Sequence, residues 1–254
     1  MAKHKPEFVV QIIKDLPDTE NALVQSDLID GVLAMPPDVS AQLAEKLMKW
    51  AVSPYFLLPE KLGQVIAHLS KGGKTDEALK IACVLLEVLP DAPRLENGTE
   101  GPYRFRPEPR ARFDIEFYEE ILKKYYPELV KAAGLPALEL LCDLLEKAIR
   151  FSRTREDDHG PEDYSYHWRP AIEEHAQNLG HEIKDALVSG VRDTAELAVR
   201  FHKATVEEVV NALERRRWKV FRRIALHVLR VFANQVLPLI ATRLTDRSLF
   251  DDVG

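Results

Sequence analysis

The run PEKLGQVIAHLSKGGKTDEALKIACVLLEVLP, residues 59–90, decides the fold class. Its apolar side chains fall in two sets, Leu62, Val65, Ile66 and Leu69, then Leu79, Ala82, Cys83, Leu86 and Leu89. Steps of three and four residues recur in each set and place its members on one face of an α-helix. Pro59 suits a first helical turn, where its missing N–H would have no partner in any case. Gly72-Gly73 supplies a left-handed stop, and Thr75 is expected to cap the helix that follows. A link this short forces the two helices to run antiparallel. The run therefore predicts a helical hairpin whose apolar stripes must be buried by neighbouring helices.

The same pattern extends in both directions. Toward the N-terminus, Phe8, Val9, Ile12, Ile13 and Leu16 form one stripe that Pro17 ends. A second stripe from about Asn21 carries Leu28, Ile29, Val32 and Leu33 as far as Pro36-Pro37, and a third carries Val39, Leu43, Leu47 and Met48. Toward the C-terminus, helices resume at Phe113 with Ile115, Tyr118, Ile121, Leu122 and Tyr125, punctuated by Pro127 and by Gly134-Leu135-Pro136. Leu140, Leu141, Leu144, Leu145 and Ile149 mark a strong helix, and a long one is expected after Pro170 through Ile172, His175, Leu179, Ile183 and Leu187. Thr205-Val206-Glu207-Glu208 matches a capping box, in which hydroxyl and carboxylate satisfy each other's amides. Amphipathic helices around Val220–Phe232 and Gln235–Leu244 close the chain, and no run alternates as a strand would. Two stretches break the rhythm: Pro90–Arg112, with five arginines, and the acidic TREDDHGPEDYSY of residues 154–166.

These observations predict an all-α protein, an α-solenoid-like stack of roughly ten to twelve helices in antiparallel hairpins. The expected organisation is N-terminal hairpins over 1–90, a long Arg/Pro-rich loop over 91–112 and C-terminal repeats over 113–254. Hydrophobic residues make up 46% of the 254, enough for a continuous core, so Leu144→Asp or Leu226→Asp is expected to unfold the chain. Gly is scarce (11) and Pro common (16), which suits helices between proline-marked turns better than β-hairpins. A net charge of −6 gives no global attraction to nucleic acid or anionic membrane. Cys83 and Cys142 lie in apolar helical runs and read as buried free thiols. The N-terminal MAKHKPEFVV holds no signal-peptide core, and no stretch approaches the roughly 20 apolar residues of a membrane span, so a cytoplasmic protein is expected.

Two segments carry a family resemblance. RRRWKVFRRIALHVLRVF (215–232) followed by ANQVLPLIATRLTD (233–246) resembles a HEAT-type repeat, with paired arginines before an Ile-Ala-Leu stretch and a returning helix. GGKTDEALKIACVLLEVLPD (72–91) is similar to a tetratricopeptide-type helix, in which a small-residue turn precedes an Ala-Leu face. The mixed pattern, ending in LFDDVG, also resembles the helical-repeat regions of large bacterial multidomain NTPases. That resemblance implies a scaffolding or sensing role beside a separate nucleotide-binding domain, and the end after Leu249-Phe250 reads equally as that of a fragment or of a complete small protein with a frayed tail.

Motifs for chemistry are weaker than motifs for packing. Gly73-Lys74-Thr75 imitates the end of a phosphate-binding loop, but His68 stands where the first glycine belongs and a helix precedes it. His167, His175 and His181 lie near acidic residues, which gives a metal-dependent enzyme as one alternative. His175 and His181 are six residues apart, about 600° of helical rotation, and do not share a face, so no metal ligand is assigned. Asp157, Asp158, Glu162 and Asp163 read as a solvated acidic loop rather than an acid–base pair. With no nucleophile motif either, no catalytic residue and no cofactor is assigned. The candidate partner-binding residues are Tyr103, Arg104, Phe105, Arg106 and Arg110 of the long loop, with Arg215, Arg216 and Arg217 at a helix junction. Arginine beside aromatics anchors protein partners and can also stack bases, which gives a nucleic-acid-binding helical module as the other alternative. For the junction, intramolecular ion pairs are the favoured reading. The leading expectation is a non-catalytic helical-repeat scaffold or sensor that contacts a protein partner or another domain of its parent chain.

Overall fold

The computed structural model describes residues 4–52, 58–92, 107–153, 163–178 and 182–245. The order is α1 (Pro6–Asp15), α2 (Ala22–Leu33), α3 (Pro37–Ser40), a 3-10 turn (Ala41–Leu43), α4 (Ala44–Ala51), α5 (Leu58–Lys71) and α6 (Thr75–Leu85). There follow α7 (Ile115–Glu120), a π turn (Ile121–Tyr125), α8 (Tyr126–Ala133) and α9 (Leu135–Phe151). The last elements are α10 (Ser165–Trp168), α11 (Ile183–Arg200), α12 (Val206–Glu214), α13 (Lys219–Val231), a 3-10 turn (Ala233–Gln235) and α14 (Leu237–Leu244). Among the described residues the protein is all-α, without a β-strand. Contacts gather it into two compact units, Met1–Leu89 with Ala111–Leu140, and Pro90–Arg110 with Leu141–Gly254. Helices α7 and α8 thus group with the N-terminal hairpins, and the dividing line falls inside α9.

In the first unit α5 is the hub. Leu62, Val65, Ile66 and Leu69 are buried, and the helix packs on α2, α6 and α8. Each such side chain stabilises by roughly 1.5–3 kcal/mol when removed from water. Gly63 permits the approach of the π turn, because a Cβ there would stand 2.6 Å from the Tyr125 ring. The Tyr125 hydroxyl then donates to Glu60 Oε1 at 3.0 Å. Gly73, with φ +74, makes the left-handed stop after α5, and the Lys74 N–H reaches the Leu69 carbonyl at 2.9 Å.

Several expectations in this unit are corrected. Thr75 is the first residue of α6 rather than its cap; the Gly73 turn delivers Lys74 to the flanking position, and no side chain caps the helix. Cys83 is exposed while Cys142 is buried, because the inward stripe of α6 is Ala78, Ile81, Ala82 and Leu85, and Cys83 lies one step, about 100°, off it. Pro127 does not interrupt its helix. The one-residue widening at Ile121–Tyr125 absorbs the missing N–H, and helical structure continues to Gly134, whose φ of 64 ends it. On α1 the buried residues are Val10 and Ile13, whereas Phe8, Ile12 and Leu16 are exposed. That helix packs chiefly on α2, α3 and the Ala41–Leu43 turn, and its second apolar row faces solvent.

In the second unit α12 and α13 form a hairpin and α11 packs on both. The capping box at α12 is present in full: the Glu208 N–H donates to Thr205 Oγ1 at 3.2 Å, and the Thr205 N–H donates to Glu208 Oε2 at 2.8 Å. Leu144 is buried as expected, but Leu226 is 43% exposed. The inward stripe of α13 is Val220, Phe221, Ile224, Ala225 and Val228, and Leu226 falls outside it. The helix expected after Pro170 begins only at Ile183; residues 170–178 run as irregular turns, and the carbonyls of Pro170, Ala171 and Ile172 are taken by arginine side chains instead of helical amides.

Candidate functional site

The irregular segment 163–178 lies against α11 and α13 of the second unit and is held there by a polar network. It starts with Asp163, placed by sequence in a solvated loop but buried. One carboxylate oxygen accepts the Ser165 N–H at 2.9 Å, and the other accepts the Val220 N–H at 2.6 Å. The second bond caps α13, whose own flanking residue Trp218 provides no side-chain cap. A carboxylate at a helix N-terminus also meets the positive end of the helix dipole.

Arg169 is buried and works as a clamp. Its Nε donates to the Ala171 carbonyl at 2.9 Å, while Nη2 donates to the Ile172 carbonyl at 3.3 Å and to Ser189 Oγ at 3.0 Å. Nη1 reaches the Asp185 backbone carbonyl at 3.5 Å and stands 3.7 Å from Asp185 Oδ1. Burial lowers the Arg169 guanidinium from its ordinary value, with Asp185 opposing. Arg192 also donates to the Ile172 carbonyl, at 2.8 Å, and bonds Glu174 and Asp193. Burial pulls Arg192 down, but Asp193 and Glu174 outweigh it and the net shift is upward. On the α13 side Arg223 donates to Ser165 Oγ at 3.1 Å and to the Pro170 carbonyl at 2.8 Å. His227 lies 2.9 Å from Glu196 and 3.7 Å from Glu173, and Arg230 pairs with the same Glu173.

Sequence reasoning missed this network because it counts apolar residues. Asp185, Ser189 and Arg192 recur at i, i+4 and i+7 on α11, a polar row beside the buried Ala186, Leu187, Val188 and Val191, and that spacing was the available signal. The row can hold a turn-rich segment in place. The network's arginines are engaged by backbone carbonyls, serine hydroxyls and carboxylates of the same unit.

The candidates from sequence are scattered. Tyr103, Arg104, Phe105 and Arg106 lie outside the described residues, as do His181, Asp157, Asp158 and Glu162. Arg110, Arg215 and Arg217 are exposed. Arg216 is turned to its own unit, bonded to Asp143 and, at 3.3 Å, to Glu146. Arg217 and Arg153 each stack near the buried Trp218 ring, at 4.8 and 5.0 Å from its centroid. Arg216 therefore braces the second unit through intramolecular ion pairs. His167 and His175 are exposed, the former beside the Tyr166 ring and the latter accepting the Gln177 N–H at Nδ1. Among the described residues no three His, Cys, Asp or Glu side chains are grouped to hold a metal ion.

A cavity of about 510 Å³ opens between the end of α11, the start of α12 and the residues before α14, lined in part by Val199, His202, Lys203, Glu207 and Val236. Two of the amides at this helix start are engaged by the capping box of Thr205 and Glu208, which weakens it as an anion site. The apolar surface is more telling. No residue of α14 is buried, and its Leu237, Ile240, Ala241 and Leu244 share one face at i, i+3, i+4 and i+7. Leu237 is 63% and Leu244 64% exposed, and the helix is tied to α12 by Arg243 and Glu214, 2.6 Å apart. Comparison with models of protein families, with curated proteins and with solved structures finds no match for this chain.

Proposed function

We propose that this chain is a non-catalytic helical-repeat module, a scaffold or sensor that contacts a protein partner or another domain of a longer polypeptide. The observation that carries the reading is the uncovered stripe of α14. An amphipathic helix whose apolar row faces water has gained no stability from that row, and such rows on helical proteins mark contact surfaces. Phe8, Ile12 and Leu16 on α1 repeat the feature in the first unit. An α-solenoid of HEAT- or tetratricopeptide-like hairpins is the architecture that best suits this role, and the pairs α5/α6 and α12/α13, each joined by a short link, support it. A cytoplasmic setting is part of this proposal; no helix among the described residues is long and apolar enough to cross a membrane.

The test replaces the stripe by charge. A Leu237→Asp/Leu244→Asp double variant keeps its helical circular dichroism, because both side chains already face water. Pull-down from cells is expected to lose partners that the wild type recovers. Equal recovery by both proteins would remove α14 from the account.

A further inference from the structure

We propose that segment 163–178 is a pH-sensitive strap, which grips α11 tightly while Asp185 is protonated and loosens once Asp185 is ionised. The geometry comes first. Asp185 stands in the first turn of α11, is 4% exposed, and its Oδ1 has no hydrogen-bond partner. The nearest cation is Arg169, whose Nη1 stands 3.7 Å from Oδ1 and reaches the Asp185 backbone carbonyl at 3.5 Å, while Nε and Nη2 are directed to the carbonyls of Ala171 and Ile172 and to Ser189. An ionised carboxylate in this position is desolvated without a full set of donors, and a proton removes that penalty. Opening the strap takes Arg169 away and admits water to Asp185, so ionisation favours the open form.

The charged surroundings do not reverse this. Arg169 and Glu174 come from the strap, Glu182, Lys184 and Arg192 from the start and body of α11, and Arg223 of α13 stands near Arg169. Burial, opposed chiefly by Arg169 and reinforced by Glu182, pushes the Asp185 carboxyl up to about 6 from its ordinary 3.8. A closed-state value above the open-state value means that closure is strongest at low pH and weakens as pH rises through about 6. From pH 5 to pH 7.5 the two values imply an opening equilibrium that shifts by about tenfold. Asp163, His167, Glu173 and His175 on the strap, and His227 with Glu196 beneath it, are further titratable groups in reach.

Amide hydrogen exchange of the full chain, corrected for intrinsic exchange, tests the strap at pH 5 and pH 7.5. Protection over 163–178 is expected to fall about tenfold at the higher pH, with α5 amides unchanged as the internal reference. Asp185→Asn is expected to make strap protection independent of pH. Flat wild-type protection, a fall shared equally by α5, or a variant that keeps the tenfold change would each overturn the proposal. If Asp185→Asn proves unfolded by circular dichroism, the wild-type comparison of strap with α5 decides alone.

Discussion

Helix α5 and the strap at 163–178 are held by opposite means. Around α5, Leu62, Val65, Ile66 and Leu69 are sealed against α2, α6 and α8, and the contact is dry and non-directional. Around the strap, Arg169, Arg192 and Arg223 hold the backbone carbonyls of Pro170, Ala171 and Ile172, and Asp163 holds the amide of Val220. Apolar burial tolerates small shifts and depends little on pH. Charge-assisted bonds in a buried setting are geometrically strict, and one missing partner leaves a desolvated charge behind. The first unit is thus built for permanence at its hub, and the second carries a segment whose attachment responds to protonation.

Three substitutions break or sharpen that contrast. The largest effect is expected from Leu62→Asp, which places an unpaired charge at a fully buried position and costs more than about 5 kcal/mol, enough to abolish the cooperative unfolding transition of the first unit. Retention of a wild-type denaturant midpoint would mean that α5 is not the hub. Arg169→Ala comes next, with an expected loss of roughly 3 kcal/mol, since it frees the Ala171 carbonyl, leaves Ile172 to Arg192 alone and strips Asp185 of its nearest cation. The readout is the urea midpoint together with faster exchange over 163–178, and a loss confined to α5 would contradict it. Smallest is Leu226→Asp, expected to change stability by less than about 0.5 kcal/mol because the side chain already faces solvent. A large drop in melting temperature there would show that α13 buries a different face.

How far the sequence could be read differs from helix to helix. The α5/α6 hairpin was legible because a dense stripe, a Gly-Gly stop and a short link all point to one answer, and the Thr205–Glu208 box was legible because its two bonds are local. The stripe of α1 misled, since five apolar residues on a ten-residue helix offer two overlapping faces and only packing selects Val10 with Ile13. Leu226 misled in the same way, flanked by buried Ala225 and His227. Pro127 reads locally as a break, yet the π turn before it lets the helix pass. The strap was misread as a continuing helix because Ile172 and Ile183 fit the period, while the arginines that claim its carbonyls come from up to some 50 residues away in the chain.

What the sequence determined by itself is the helical class and the boundaries built from local signals, the Gly73 stop after α5 and the Thr205–Glu208 box before α12, because periodicity, turns and caps act over a few residues. Which face of each helix is buried, which apolar rows stay in water, and which carboxylate goes underground with its arginine were decided only by tertiary packing. Those choices depend on atoms that meet across dozens of residues, and no local pattern records the meeting.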